Sequence, residues 1–366
     1  MVSELLSCEF ILLLFCPSKP CAMLNSTLNH DPHKDRSRRR RMDQAPARRV
    51  AVSTLVFLFT HLLGSKEGWA WGRLGHEIIA EVASEIATDG SDFWLKQSSE
   101  LGTLATVPDS LWKSGPSAGR EGSTHWFHLD AYTSPPWQLP DSFRSYAATV
   151  RSYGERTVID NGTALWRVDQ LFELSQEAFQ VGDYERGLQM AGVMAHYVAD
   201  LGQPLHVTED YDGRNGSKTG IHSFFESSNV QTMDRSRLKS DVQTRAQALL
   251  ADPTYRNSLG NDIPSTITRL MMRSADSVET ILDLDESLGR SGQGARAQLE
   301  LALERMADST ATLAWVIGRL WVEGGRPPID RSLDVSAPAW VAPSYIGFLE
   351  SSFEEPPHRH SGHDCH

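Results

Sequence analysis

Residues 195–206 read AHYVADLGQPLH, and the placing of polar groups in that stretch decides how the rest of the chain is understood. His196 and Asp200 are four apart, so on a helix they stand one above the other on a single face. Pro204 cannot continue that helix, and His206 therefore comes back from a turn at a new angle. Two imidazoles and a carboxylate converging from two backbone directions form a donor set that suits zinc. The plainer alternative is a helix end with a polar face and one stray histidine.

Around this stretch the pattern is helical. Leu299, Leu303, Met306, Thr310, Leu313, Ile317 and Leu320 alternate steps of four and three, which predicts one apolar stripe on a long helix. Ile263, Ile267, Leu270, Ser274, Val278, Ile281 and Asp285 repeat the pattern with polar residues at its margins. Residues 163–182 and 184–201 read as two further helices joined at Gly182-Asp183, and 140–153 and 235–251 as shorter ones. Segments 114–124 and 211–220 carry the Gly/Ser/Asp composition of loops. No alternating strand and no repeat of 20–50 residues is visible. The expected fold is all-α, a single compact multi-helix domain over residues 71–323. Beyond it, 324–366 reads as a Pro-rich tail ending in HRHSGHDCH, solvated or adventitiously metal-binding.

The first seventy residues read differently. AVSTLVFLFTHLL (51–63) is too short to span a bilayer, follows Arg48-Arg49 and precedes Gly68-Trp69-Ala70. This predicts a secretory signal peptide cut after Ala70, hence a secreted or periplasmic protein. Residues 1–41, with a basic run before Met42, read as the product of a start assigned too early, or else as an anchor or basic arm. Of the 35 Lys/Arg and 47 Asp/Glu, ten and six fall in residues 1–70, leaving a formal −16 on the rest. Such a surface repels a polyanion at long range unless bound cations reverse the field locally. Past Ala70 the only cysteine is Cys365, so no internal disulfide is expected there.

Further donors lie at wider spacing. GIHSFFES (220–227) sets His222 and Glu226 four apart on one helical face, VPDSLW (107–112) offers Asp109, and THWFHLDA (124–131) offers His125 and His128. WGRLGH (71–76) begins with Trp71, which signal cleavage makes the N-terminus. Its α-amine, with a pKa near roughly 8, can yield to a metal and chelate it together with its own carbonyl, and His76 can close the site.

These motifs, in this order, resemble the secreted zinc-dependent single-strand nucleases of the fungal and plant type, whose superfamily includes the bacterial zinc-dependent phospholipases C. The similarity runs from residue 71 to about 320. It implies an all-α fold around a cleft with three Zn2+ ions. Asp109, one of His125 and His128, His196 and Asp200 would hold the first. Asp200 would bridge to a second, held also by Trp71 and His76, and His206, His222 and Glu226 would hold the third. The implied chemistry is hydrolysis of a phosphodiester by a hydroxide formed at the metals, with Asp200 or Asp109 orienting it.

Single-stranded DNA or RNA is the substrate the resemblance implies first, with no stable protein partner. Trp126 would then stack a base, Asp130 would accept from its edge, and Lys113 would approach the phosphate, since Trp112 stands where the nucleases carry Arg. Glu226, where nucleases usually carry Asp, keeps phospholipid head groups open as the alternative substrate. A third reading is an exported zinc-binding protein without catalysis.

Overall fold

Apolar residues spaced three and four apart hold a helix in place when the face they form finds a partner, and most such faces in this chain do. The computed structural model describes residues 71–113, 121–216, 219–335 and 342. The expected leader with its expected cleavage after Ala70, residues 114–120 of the expected 114–124 loop, and the histidine-rich end lie outside the described residues. All regular structure among the described residues is helical, with no strand. The described residues belong to one compact unit. No helix among the described residues is long and apolar enough to cross a membrane.

The helices that position the site are α1 (Gly72–Glu85), α2 (Ser98–Leu104), α3 (Ala164–Gln180), α4 (Tyr184–Gly202), α5 (Arg235–Ala251), α6 (Ile263–Ala275), α7 (Val278–Leu288) and α8 (Gly292–Glu323). α4 is the central one and packs against α1, α2, α3, α6 and α8. Asp183 caps its start, accepting from the Arg186 N–H at 3.2 Å. From Gly187 to Gly202 every residue but Gln189 is buried. Small residues permit this crowding: a Cβ on Gly192 would meet Leu104 Cβ at 2.3 Å, and one on Gly202 would meet Ser309 Oγ at 1.8 Å.

α4 stops where expected. Gln203, before Pro204, takes an extended backbone (φ −86°, ψ 117°) that ends the helix. Its side-chain oxygen then accepts the Leu205 N–H at 2.5 Å, forming the turn that brings His206 back.

The stripe from Leu299 to Leu320 lies on α8 and is buried except at the partly covered Leu299. The stripe from Ile263 to Asp285 also faces inward, but over two helices rather than one. Asp276 and Ser277 separate α6 from α7, the Ser277 N–H bonding back three residues to Ser274 O at 3.0 Å. Asp276 meanwhile accepts from the Trp137 indole at 2.8 Å. Residues 140–153 likewise divide, into a 3₁₀ turn (Asp141–Arg144) and a helix (Tyr146–Tyr153). The loop expected over 211–220 turns at Arg214–Gly216 through a left-handed Asn215 (φ 50°, ψ 31°).

Candidate metal centre

Six chain segments deliver donors to one end of α4. α1 carries His76 and α4 carries His196 and Asp200, while the turn after Pro204 carries His206. Asp109 sits on a π-helical turn, Pro108–Trp112, and Glu226 on another, Phe224–Ser228, directly after the helical turn holding His222. π-turns tilt a side chain off the regular helical face and recur at functional sites. His125 follows the 3₁₀ turn Gly122–Thr124.

These residues gather into groups whose donor atoms lie within 4.8 Å of one another: His76 with His196 and Asp200, Asp109 with His125 and His196, and His206 with His222 and Glu226. Asp200 stands between the first two. Its Oδ1 is 3.4 Å from His76 Nε2, while its Oδ2 is 3.0 Å from His125 Nδ1 and 3.2 Å from His196 Nε2. Asp109 Oδ1 lies 3.7 Å from both His125 Nδ1 and His196 Nε2. In the third group Glu226 Oε2 is 2.9 Å from His222 Nε2 and 3.5 Å from His206 Nε2.

The hydrogen bonds indicate which ring nitrogens carry lone pairs. His196 Nδ1 donates to Ala105 O at 2.8 Å, and His206 Nδ1 donates to His125 O at 2.6 Å. His222 Nδ1 lies 3.3 Å from Tyr211 O. A carbonyl only accepts, so in the neutral rings the Nε2 atoms are left as bare acceptors. Yet His206 Nε2 faces His222 Nε2 at 3.2 Å, and His196 Nε2 faces His125 Nδ1 at 2.9 Å. The two lone pairs of the His206–His222 pair repel unless a proton or a cation sits between them, whereas His125 Nδ1 also lies 3.0 Å from Asp200 Oδ2 and no carbonyl fixes its tautomer. Asp200 Oδ1, Glu226 Oε1 and both ring nitrogens of His76 are buried without a hydrogen-bond partner, a cost that a bound cation would relieve. The donor set fits metal ions.

The electrostatics agree. Burial alone would raise the Asp200 carboxyl, but His196 and His206 hold it well below the ordinary carboxylate range. Asp109 is held low against its burial by Lys113 and His196. Burial would lower His196 and His206, yet Asp200 and its acidic neighbours raise both. His76 is lowered, by burial and by the nearby His196. The pocket favours positive charge.

Trp71 is buried beside this cluster. Its indole donates to Ala199 O at 2.8 Å, next to Asp200, and its ring packs on Phe225, next to Glu226. Its carbonyl accepts the Gly75 N–H at 3.0 Å, the first bond of α1. Of the two candidate histidines, His125 joins the cluster and His128 does not. The Phe127 and Leu129 N–H groups bond to His206 O and Val207 O, each at 2.9 Å, so the segment runs extended. Alternation then turns Phe127 and Leu129 into the core and sets Trp126 and His128 on the other side, their rings stacked at 6.3 Å. Burial pulls His128 down to about 4.

The expected substrate-binding residues are dispersed. Lys113 Nζ reaches Asp109 Oδ1 at 2.7 Å, and Trp126 is half-buried. Asp130 is exposed, but its carboxylate already accepts from Thr208 Oγ1 at 2.6 Å and from the Glu209 N–H at 3.1 Å. Two residues that sequence reasoning missed lie beneath His125: Glu121, whose Oε2 is 3.5 Å from a guanidinium nitrogen of Arg167. Only a charged residue inside the apolar run ALWRV (164–168) hinted at the second.

The family model described as S1/P1 nuclease matches residues 71–314. A curated protein of Bradyrhizobium tropiciagri, described as a probable serine protease, is 25% identical over 369 residues, covering 75% of this chain and 47% of its own length. The chain thus spans about half the length of that relative. Among solved structures, the alpha toxin of Clostridium absonum aligns with a TM-score of 0.38 at 13% identity, over 70% of this chain and 65% of the toxin. An alpha-toxin of Clostridium perfringens from an avian strain gives 0.39 at 15% identity, over 71% and 65%.

Proposed function

The chain belongs to the S1/P1 nuclease family, and from that premise we propose that it is a zinc-dependent phosphodiesterase cleaving single-stranded DNA and RNA. The observation that carries the reading is the set of facing donor nitrogens and unpartnered carboxylate oxygens at the end of α4. In this reading Asp109, His125, His196 and Asp200 hold one Zn2+. Asp200, His76 and a freed Trp71 terminus hold a second, and His206, His222 and Glu226 a third. Bound zinc supplies Lewis acidity toward phosphate oxygens and lowers the pKa of water toward about 7.

The chain's own groups do the positioning. Asp200, 0% exposed, presents one oxygen to each side and ties the two neighbouring donor groups together. Asp109 stays ionised and is placed to orient a water through its carboxylate. Lys113 Nζ, beside Asp109, offers positive charge to an approaching phosphate. Trp126 supplies a flat face on which a base stacks. Three ligating carboxylates against six positive charges leave the loaded centre with about three positive charges, which draws a polyanion to an acidic chain.

Glu226 favours a second reading, phospholipase C activity, because the longer acid completes the third group. The test is turnover by zinc-loaded protein beginning at Trp71, on single-stranded DNA, RNA and a choline phospholipid, with and without chelator. Chelator-sensitive cleavage of nucleic acid is expected. Cleavage of lipid alone moves the chain to the second reading, and no turnover with zinc bound removes both. A signal peptide cut after Ala70, and with it export, belongs to the same proposal, and N-terminal sequencing of the exported protein tests it.

A further inference from the structure

Beneath His125, on the side away from Asp200, lies a buried ion pair that the proposed chemistry does not use. Glu121 is 2% exposed and Arg167 is 0% exposed. Glu121 Oε2 is 3.5 Å from an Arg167 guanidinium nitrogen, and its Oε1 accepts the Tyr197 hydroxyl and lies 3.7 Å from His125 Nε2. Thr124 Oγ1 donates to the same Oε1 at 3.0 Å. Arg167 donates to Gln170 Oε1 at 2.7 Å and covers the rings of Trp112 and Tyr197 at 5.4 and 5.7 Å. Trp112 ends the turn that carries Asp109, and Tyr197 follows His196.

A histidine ring presents two nitrogens, and the partner of one decides which proton state the other offers. His125 turns Nδ1 toward Asp200, His196 and Asp109, and turns Nε2, which is buried without a hydrogen-bond partner, toward Glu121 as its nearest carboxylate at 3.7 Å. A carboxylate behind Nε2 favours the proton there and leaves the Nδ1 lone pair facing the cluster. Ligating histidines commonly have such a carboxylate behind them, and it raises their basicity. A buried ion pair is weak evidence for stability by itself, because apolar residues of similar volume often replace one without loss.

We infer that Glu121, held by Arg167 and Tyr197, is a positioning residue that keeps the His125 ring with Nε2–H toward itself and Nδ1 open to a metal. The inference rests on the reading of Asp109, His125 and His196 as metal ligands. Its rival is that Glu121 only neutralises Arg167.

The experiment measures zinc retained per chain against a competing chelator, with the melting temperature of the zinc-free protein, for Glu121→Gln, Glu121→Gln/Arg167→Met and His125→Ala. Both Glu121 variants should weaken one ion by roughly 10–100-fold, the ion that His125→Ala loses. The double variant, free of the unpaired guanidinium, should regain the melting temperature that the single variant loses. A double variant holding zinc as tightly as the parent would overturn the inference. A parent that binds no zinc, or a His125→Ala variant that loses none, sinks instead the reading of the site beneath it. Nitrogen-15 spectra of the zinc-loaded parent provide a check independent of variant folding. Metal on His125 Nδ1 with a protonated Nε2 is expected, and the reverse pattern refutes the positioning role.

Discussion

Replacing Asp200 by Asn changes charge but hardly changes volume, so it probes the centre without opening a cavity. The side chain is 0% exposed, with nitrogens of His125 and His196 at 3.0 and 3.2 Å from Oδ2. A unit positive charge at about 3 Å from a carboxylate, at an effective dielectric near 20, interacts by about 5 kcal/mol. The amide keeps a neutral oxygen donor, so part of that interaction survives. The expected loss of activity is roughly 10²–10³-fold, the range that follows removal of one preorganised charge-stabilising group. Two ions share Asp200 in the proposed arrangement, so zinc content should fall at both. Zinc should also raise the melting temperature of the parent more than that of the variant, since stabilisation follows the ratio of free zinc to Kd. The assays are single-stranded DNA cleavage, zinc per chain and thermal unfolding with and without zinc. A D200N protein with its full complement of zinc and activity within tenfold of the parent would refute the bridging role.

A chain that retains residues before Trp71 has no free amine there, so it should carry fewer zinc ions and cleave DNA more slowly than protein beginning at Trp71, as metal analysis of both forms checks. Trp126→Ala should weaken binding of a single-stranded oligonucleotide by about 1–3 kcal/mol through lost stacking while leaving zinc content unchanged; equal affinity in a titration removes Trp126 from the binding face. Asp308 lies away from the donor groups, bonded to Arg273 at 2.8 and 2.9 Å, to Tyr255 at 2.7 Å and to Arg305 at 3.1 Å. Burial would raise its pKa, but the arginines hold it below the usual value, so its stabilisation is complete above the ordinary carboxylate range and is lost as pH falls through the lowered value. Asp308→Asn should therefore cost about 3–5 kcal/mol at neutral pH, flatten the acid limb of the stability profile and leave zinc content intact.

What the sequence exposes of the centre follows from its geometry. His196 with Asp200, and His222 with Glu226, are legible because a helix repeats fast enough to bring residues four apart onto one face. His206 is legible because Pro204 announces the break. Asp109 is not legible from spacing, since it reaches the cluster through a π-turn with no sequence signature, and only the order of motifs picked it out. His125 and His128 could not be separated until the hydrogen bonds to His206 O and Val207 O showed which way the extended segment alternates. Glu121 and Arg167 meet across 46 positions inside the core, and no local pattern reports such a pairing. The division of α6 from α7 was hidden for a different reason: the buried face continues through Asp276 and Ser277 although the helix does not.

The same geometry explains why the donors gather at the end of α4 and not along its length. In mid-helix every backbone carbonyl is taken, and neighbouring side chains diverge from the axis. Where Gln203 and Pro204 stop the helix, the chain folds back within a few residues and can set His206 beside Asp200. α1 crosses the same end, and His76 stacks on His196 at 4.0 Å with only 20° between the rings. Two rings so placed, with a carboxylate between their nitrogens, leave both His76 nitrogens and Asp200 Oδ1 buried without hydrogen-bond partners. The fold therefore concentrates uncompensated donors at one buried point. A cation bound there would relieve that cost and, in the proposed reading, would by the same charge draw a phosphate to an acidic chain.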